Sequence, residues 1–303
     1  MNKEIISEIR RLKEETGTLI LAHTYQDPDI IELADITGDS FALAKKSLSA
    51  GAKRVIMCGV RFMAESVKIL SPDTEVILPC PDATCPMAEM ISPERVKKYK
   101  EENPDAVVVA YINTTAALKA QCDVCVTSSS ALKIVDKIDA PEILFIPDKN
   151  LGSFVKEHFP EKNIVLWDGY CPVHASITED DILSAKKEHP EALFAVHPEC
   201  EKDVVRHSDM AGSTAEIIDF ALSSTKPVII GTERGVADYL IPRHPEKTFY
   251  RLCPEKLVCK DMKYTTPESI LAALKGEGGE IIELEEDIAK KAKHSIDEML
   301  RLG

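Results

Sequence analysis

The sequence has no basic surplus: 37 Lys and Arg stand against 51 Asp and Glu, a net charge of −14 over 303 residues. A nucleic-acid binder ordinarily presents a basic face, so that class is set aside. An anionic small molecule stays admissible, because a pocket lined by amides or a few cations can sit in an acidic protein. No apolar run approaches the ~18 residues of a membrane-spanning helix. The opening stretch MNKEIISEIRRLKEETG reads as an amphipathic charged helix without the apolar core of a signal peptide, so a cytoplasmic protein is expected. An even cysteine count is missing too. Nine thiols in a chain of this length argue against a disulfide scaffold, which leaves buried inert thiols, or metal and redox chemistry. Tryptophan is almost absent; Trp167, the only one, reads as packing at a strand end.

What is present is the balance of a globular protein, 44% apolar and 29% charged residues, and a repeat. The runs TLILAH (18–23), VVVAY (107–111) and LFAVH (193–197) are each a short strand ending in a polar ring, with a period of about 87. A helical segment precedes each: NKEIISEIRRLKEE, SPERVKKYKEEN and TEDDILSAKKEH, the last two opening on Ser92 and Thr178 as helix N-caps do. A Ser/Thr turn then opens a helix, and a second strand (VIMCGV, ILFIPD, VIIGTE), a helix and a third strand follow. Every third strand is read as finishing in Cys-Pro, at Cys80, Cys171 and Cys253. Alternation of short strands with helices predicts parallel sheets. The expected fold is α/β: three three-layer α/β domains with short parallel sheets, related by a pseudo-threefold axis, with the active site at their junction. The boundaries are 1–84, 85–171 and 172–279, and the segment 280–303, ending in an amphipathic helix, packs on the body.

Parallel sheets bind ligands beyond the carboxyl ends of their strands, where helix N-termini also favour anions. At those ends the chain places His23 and Tyr25, Tyr111 and Asn113, His197 and Glu199. Ser40, Ser128 and Thr214 each lie 17 residues past the strand-end ring. The hydroxyls alone could be copied helix caps. Rings and a carboxylate that diverge at matched positions point to a shared binding cavity, because duplication for structure alone gives no reason for them to differ.

Three cysteines at equivalent corners, one per domain, are the donors of a three-thiolate site, which suits an iron–sulfur cluster or zinc with one position open. Extra thiols lie just beyond two of the corners, at Cys85 and Cys259. Spacing admits both Cys80/Cys171/Cys253 and Cys85/Cys171/Cys259. The pair Cys122 and Cys125, and likewise Cys58 and Cys200, read as core packing.

The ordered motifs HTYQ, ADITGDS, FMAES, DATCPMA, YINTTA, TSSSA, WDGYCPVH, HPEC and GST make the chain resemble the quinolinate synthase family over nearly its whole length. The resemblance implies the three-domain fold and a [4Fe-4S] cluster held by Cys85, Cys171 and Cys259 with one iron open. It also implies condensation of iminoaspartate with dihydroxyacetone phosphate to quinolinate, in NAD biosynthesis. Glu199, Tyr25, His23 and His197 are then the acid/base candidates. His23, Ser40, Tyr111, Asn113, Ser128, His174, His197, Glu199 and Thr214 are the substrate contacts. An aspartate oxidase or dehydrogenase would supply the iminoaspartate. The chain departs from the family at two motifs: Lys260 and Asp261 replace Pro and Asn after Cys259, and Thr24 stands where Asn is usual. Rival readings are another open-iron enzyme of the same architecture, an electron carrier with every iron protein-ligated, and an air-stable zinc hydrolase.

Overall fold

A computed structural model of the chain describes residues 3–303, with the backbone alone for Phe41 and Leu48. The first helix runs Lys3–Thr16; Asn2, where the sequence placed its start, lies outside the described residues. The strands are β1 (Thr18–His23), β2 (Ile36–Gly38), β3 (Arg54–Cys58), β4 (Glu75–Leu78), β5 (Ala106–Tyr111), β6 (Val124–Val126) and β7 (Glu142–Ile146). They continue with β8 (Ile164–Leu166), β9 (Leu193–Val196), β10 (Met210–Ala211), β11 (Val228–Gly231), β12 (Phe249–Arg251) and β13 (Glu280–Ile281). They form three sheets, β13-β4-β3-β1-β2, β6-β5-β7-β8 and β10-β9-β11-β12. All pairings are parallel except β13 on β4, where Glu280 faces Leu78 and Ile281 faces Ile77. Each set of four is therefore ordered second-first-third-fourth, the counterpart in space of the repeat in the letters.

Sheets covered on both faces demand uninterrupted aliphatic strands. Ile20–Ala22, Val108–Ala110 and Phe194–Val196 meet that demand and are fully buried. The strand order reverses between the first and third strand of each set, so the loops leaving them diverge and open a crevice at their carboxyl ends. Those ends are His23 beside Gly59, Tyr111 beside Pro147, and His197 beside Thr232.

The chain divides into two compact units. One comprises the residues up to Cys85 with Cys259–Lys290, and carries the first sheet. In it the helix Lys3–Thr16 packs on Pro267–Lys275, and the Arg54 guanidinium donates to the Ala273 and Leu274 carbonyls at that helix's end. The other comprises Pro86–Val258 with Lys291–Gly303, and carries the other two sheets. The last helix, Glu286–Leu302, buries Ala292, Ser295, Ile296 and Met299, and Ser295 Oγ lies 3.3 Å from Cys125 Sγ.

Two details differ from the sequence reading. The strands read as third from the sequence, β4, β8 and β12, stop at Leu78, Leu166 and Arg251, so the Cys-Pro corners lie in the loops beyond them; the loop after β8 is pinned as Trp167 donates its indole N–H to Met90 O at 3.1 Å. The hydroxyls at the 17-residue positions are not the helix caps. Asp39 caps the helix Ser40–Ala50, and Ser213, in a capping box with Glu216, caps Thr214–Ser223. Ser128 lies in the turn before the helix Ala131–Asp136, whose N-cap is Ser130. Capping therefore does not explain why a hydroxyl recurs one or two residues away.

Candidate active site

In the second unit, side chains from the ends of both sheets meet. Glu199, just past β9, is 4% exposed. Its Oε2 lies 2.8 Å from His174 Nδ1, its Oε1 3.8 Å from His197 Nδ1, and it accepts a hydrogen bond from Tyr111 at the end of β5. The backbone is held as firmly: Glu199 N donates to His197 Nδ1 at 3.3 Å, and the Asn150 amide donates to Glu199 O at 3.0 Å. The His174 and His197 rings stack with centroids 5.0 Å apart. Nδ1 of His174 is also 3.3 Å from Cys171 Sγ, and its Nε2 is 2.9 Å from the Thr232 hydroxyl after β11. Ligand atoms of Cys171, His174 and Glu199 all lie within 4.8 Å of one another.

Burial sets the protonation of this group. It drives the His197 imidazole down to about 4 against the pull of Glu199, so the ring is neutral near pH 7. Burial also works to raise the Glu199 carboxyl, but the facing His197 and His174 and the hydrogen bonds from His174 and Tyr111 outweigh it and hold the group below its ordinary value. A neutral His197 exerts little of that pull, so the 2.8 Å contact with His174 and the Tyr111 bond are what keep Glu199 ionised. Asp148, fully buried two residues past β7, goes the other way: burial and then the charge of Glu199 push its carboxyl well above the ordinary range. Two buried carboxylates that sense each other are thus driven in opposite directions.

The His197 shift fixes a pH dependence. The unfolded ring titrates near 6.5 and the folded one near 4. Below 6.5 the unfolded chain therefore binds a proton that the folded chain refuses. Stability from the neutral ring is complete above that value and is lost as pH falls toward 4, at up to about 1.4 kcal/mol per pH unit. Denaturant unfolding between pH 7 and 4 should accordingly show a shallower loss for His197→Gln than for the natural chain.

Asp148, Thr232 and Asn150 were missed from the sequence. Asp148 accepts from the amides of Leu151 at 2.7 Å and Cys171 at 3.1 Å, so it ties the Cys171 loop to the end of β7. The signal was in the repeat: Gly59-Val60-Arg61, Pro147-Asp148-Lys149 and Thr232-Glu233-Arg234 follow the third-position strands in register, as the strand-end rings do one strand over.

In the first unit His23 ends β1, is 4% exposed and accepts from Tyr25 N at 3.1 Å, with the two rings edge-to-face 4.4 Å apart. Ser40 opens the helix after β2. In the second unit Asn113 is half-buried two residues past β5, and Thr214, the first residue of its helix, is 5% exposed.

The cysteines sort by environment. Cys58, Cys122, Cys125 and Cys200 are buried, and desolvation pushes each thiol up. Cys80, Cys85, Cys171, Cys253 and Cys259 are half-buried in loops. Among these, Cys253 packs against the core of the third sheet at a left-handed φ of 38°, and its thiol is raised to about 11 by burial and by the neighbouring Asp181. Among the described residues, no helix is long and apolar enough to cross a membrane.

Parallel sheets whose strand ends gather a thiol, two imidazoles, a phenol and two buried carboxylates define an α/β enzyme of the strand-end type. Residues 7–301 match the family described as Quinolinate synthetase A protein, and the chain belongs to that family. It is 46% identical over 304 residues to the quinolinate synthase of Clostridioides difficile (strain 630), covering 100% of this chain and 99% of the relative. It is 48% identical over 302 residues to that of Caldicellulosiruptor saccharolyticus, covering 99% of each. With that of Caldicellulosiruptor bescii it shares 48% over 305 residues and the whole of both chains.

Proposed function

We propose that the chain is a quinolinate synthase, condensing iminoaspartate with dihydroxyacetone phosphate to quinolinate with loss of phosphate and water. It would do so with a [4Fe-4S] cluster held by Cys85, Cys171 and Cys259. Family membership and the relatives' names support the activity. The observation that carries the site is an ionised, buried Glu199 within 2.8 Å of His174, whose same nitrogen lies 3.3 Å from the Cys171 thiol.

The donor set fits the group. Three half-buried thiols in loops can become thiolates for iron, whereas the fully buried ones cannot do so cheaply. Cys253, raised by Asp181 and packed on its own sheet, is the poorer third donor, and Asp261 bonds the residue before Cys85 just past Cys259. When bound, the cluster supplies a Lewis-acidic iron with no protein ligand, toward which substrate oxygen or nitrogen can turn.

The chain's own groups do the rest. Enolisation and dehydration need a base and an acid within reach of the same carbon framework. Glu199, ionised and dry, takes the proton; His174, its partner at 2.8 Å, passes a proton onward to the leaving oxygen, with Thr232 holding its far nitrogen. Tyr111 and Asn113 orient a substrate carboxylate, and His23, Tyr25 and His197 line the strand ends. Ser40, Ser128 and Thr214, not occupied as caps, offer hydroxyls beside helix N-termini to phosphate and carboxylate. Iminoaspartate hydrolyses in water, so an aspartate oxidase or dehydrogenase must make it nearby, and an oxygen-sensitive cluster suits a reducing cytoplasm.

The test is direct. The chain, reconstituted anaerobically with iron and sulfide, is given dihydroxyacetone phosphate and iminoaspartate generated in place by an aspartate oxidase, and quinolinate is measured by mass spectrometry. Cluster-dependent quinolinate is expected. Its absence from a cluster-loaded chain would refute the reading.

A further inference from the structure

The turn after Cys259 reaches two distant parts of its own compact unit. Asp261 Oδ1 accepts from the amide of Thr84 at 3.3 Å and from its hydroxyl at 3.4 Å, one residue before Cys85. Met262 O accepts from the Gln26 side-chain amide at 2.5 Å. Lys263 Nζ donates to the Tyr25 carbonyl and pairs with the Asp27 carboxylate at 3.3 Å. Gln26 is 1% exposed, and its Oε1 has no hydrogen-bond partner among the described residues. A half-satisfied buried amide is a cost, and the bond it does make is the one to Met262.

The loops after the first strands of the other two repeats are held in a comparable way, but from nearer along the chain. Lys119 donates to Thr114 O, three residues past Tyr111, and Asn150 donates to Glu199 O. As His174 beyond Cys171 holds Glu199, so the His23–Tyr25 loop takes its anchor from the chain just beyond a cysteine that the proposed cluster uses. That anchor lies more than two hundred residues away along the chain.

We propose that Asp261, Met262 and Lys263 form a positioning clasp. Asp261 sets the Cys85 and Cys259 segments against each other, and Lys263 with Gln26 ties the Tyr25 loop to that pair. The first half rests on the reading of Cys85 and Cys259 as cluster ligands; the second does not. The clasp also accounts for a departure from the family pattern. Asp261 stands where Asn is usual, and either side chain presents an oxygen to Thr84, the carboxylate as the stronger acceptor.

The experiment uses the full chain, reconstituted anaerobically, with far-UV circular dichroism and the unfolding midpoint as controls for folding. Asp261→Ala should lose iron to a chelator about tenfold faster or more, as loss of a partner behind a metal ligand does, while Asp261→Asn should stay close to the natural chain. Lys263→Met keeps the length of the side chain and removes its charge. It should retain iron yet speed amide hydrogen exchange at residues 24–27 by about tenfold, the sign of a loop released locally. Unchanged iron loss in Asp261→Ala, or unchanged exchange in Lys263→Met, would overturn the corresponding half of the clasp. A natural chain that takes up no iron would overturn the cluster reading and the first half with it, and the exchange measurement would still decide the second.

Discussion

Glu199→Gln is expected to lower kcat by about 10²- to 10⁴-fold, the usual contribution of a positioned acid or base, with little change in folding. The amide matches the carboxylate in size and still offers an oxygen to Tyr111 and to His174, so the packing around β9 survives. What disappears is the negative charge. That charge is a property of the site: His174 at 2.8 Å and the Tyr111 hydroxyl hold the carboxyl below its ordinary value although it is buried, while Asp148 nearby is pushed the other way. The effect should therefore fall on kcat with KM nearly unmoved, because the substituted side chain keeps its hydrogen bonds and loses only its capacity to take a proton. Steady-state kinetics of the cluster-loaded variant read it. Turnover equal to that of the natural chain would remove Glu199 from the proton-transfer role.

Much of this was written in the letters because the repeat is simple. An aliphatic run that must be buried on both faces announces a parallel strand, and a ring at its last position, as at His23, Tyr111 and His197, has no packing reason to be there. The residues just past β7 and β11 were harder to see. Asp148 and Thr232 look like ordinary loop residues until the strand order places them beside Tyr111 and His197. The caps shifted by a residue because Asp39 and Ser213 compete with their neighbours for the same role, and the hydrogen bonds to Ala42 N and Glu216 N decide it. Strand ends were overrun at Cys80, Cys171 and Cys253: Pro79, with no N–H to donate, precedes Cys80, and Cys253 turns out of the ladder at a left-handed φ of 38°. Contacts such as Gln26 with Met262 leave no local trace at all, being fixed by tertiary packing between segments 236 residues apart.

Serine at Cys85, Cys171 or Cys259 is expected to remove the cluster, whereas serine at Cys80 or Cys253 should leave it in place. A hydroxyl is a far poorer ligand than a thiolate for iron, and in the proposed site, with three protein ligands, each one would matter. The discrimination between Cys259 and Cys253 is the sharp part. Cys253 sits at an equivalent corner of its repeat, but its thiol is raised to about 11 by burial and Asp181 and packs on its own sheet. Cys259 leads directly into Asp261 and its bonds to Thr84. The loss of Cys171 should be felt twice, because its thiol also lies 3.3 Å from His174 Nδ1. The measurement that bears on the whole account is iron and sulfide per chain after anaerobic reconstitution, with the absorption spectrum taken before and after adding quinolinate. About four irons and four sulfides in the natural chain are predicted, as a [4Fe-4S] cluster requires. Quinolinate should perturb its spectrum, and the cluster should be absent from the three serine variants alone. Zinc in place of iron, a spectrum that ignores the dicarboxylate, or a cluster that survives at Cys259→Ser and is lost at Cys253→Ser would contradict it.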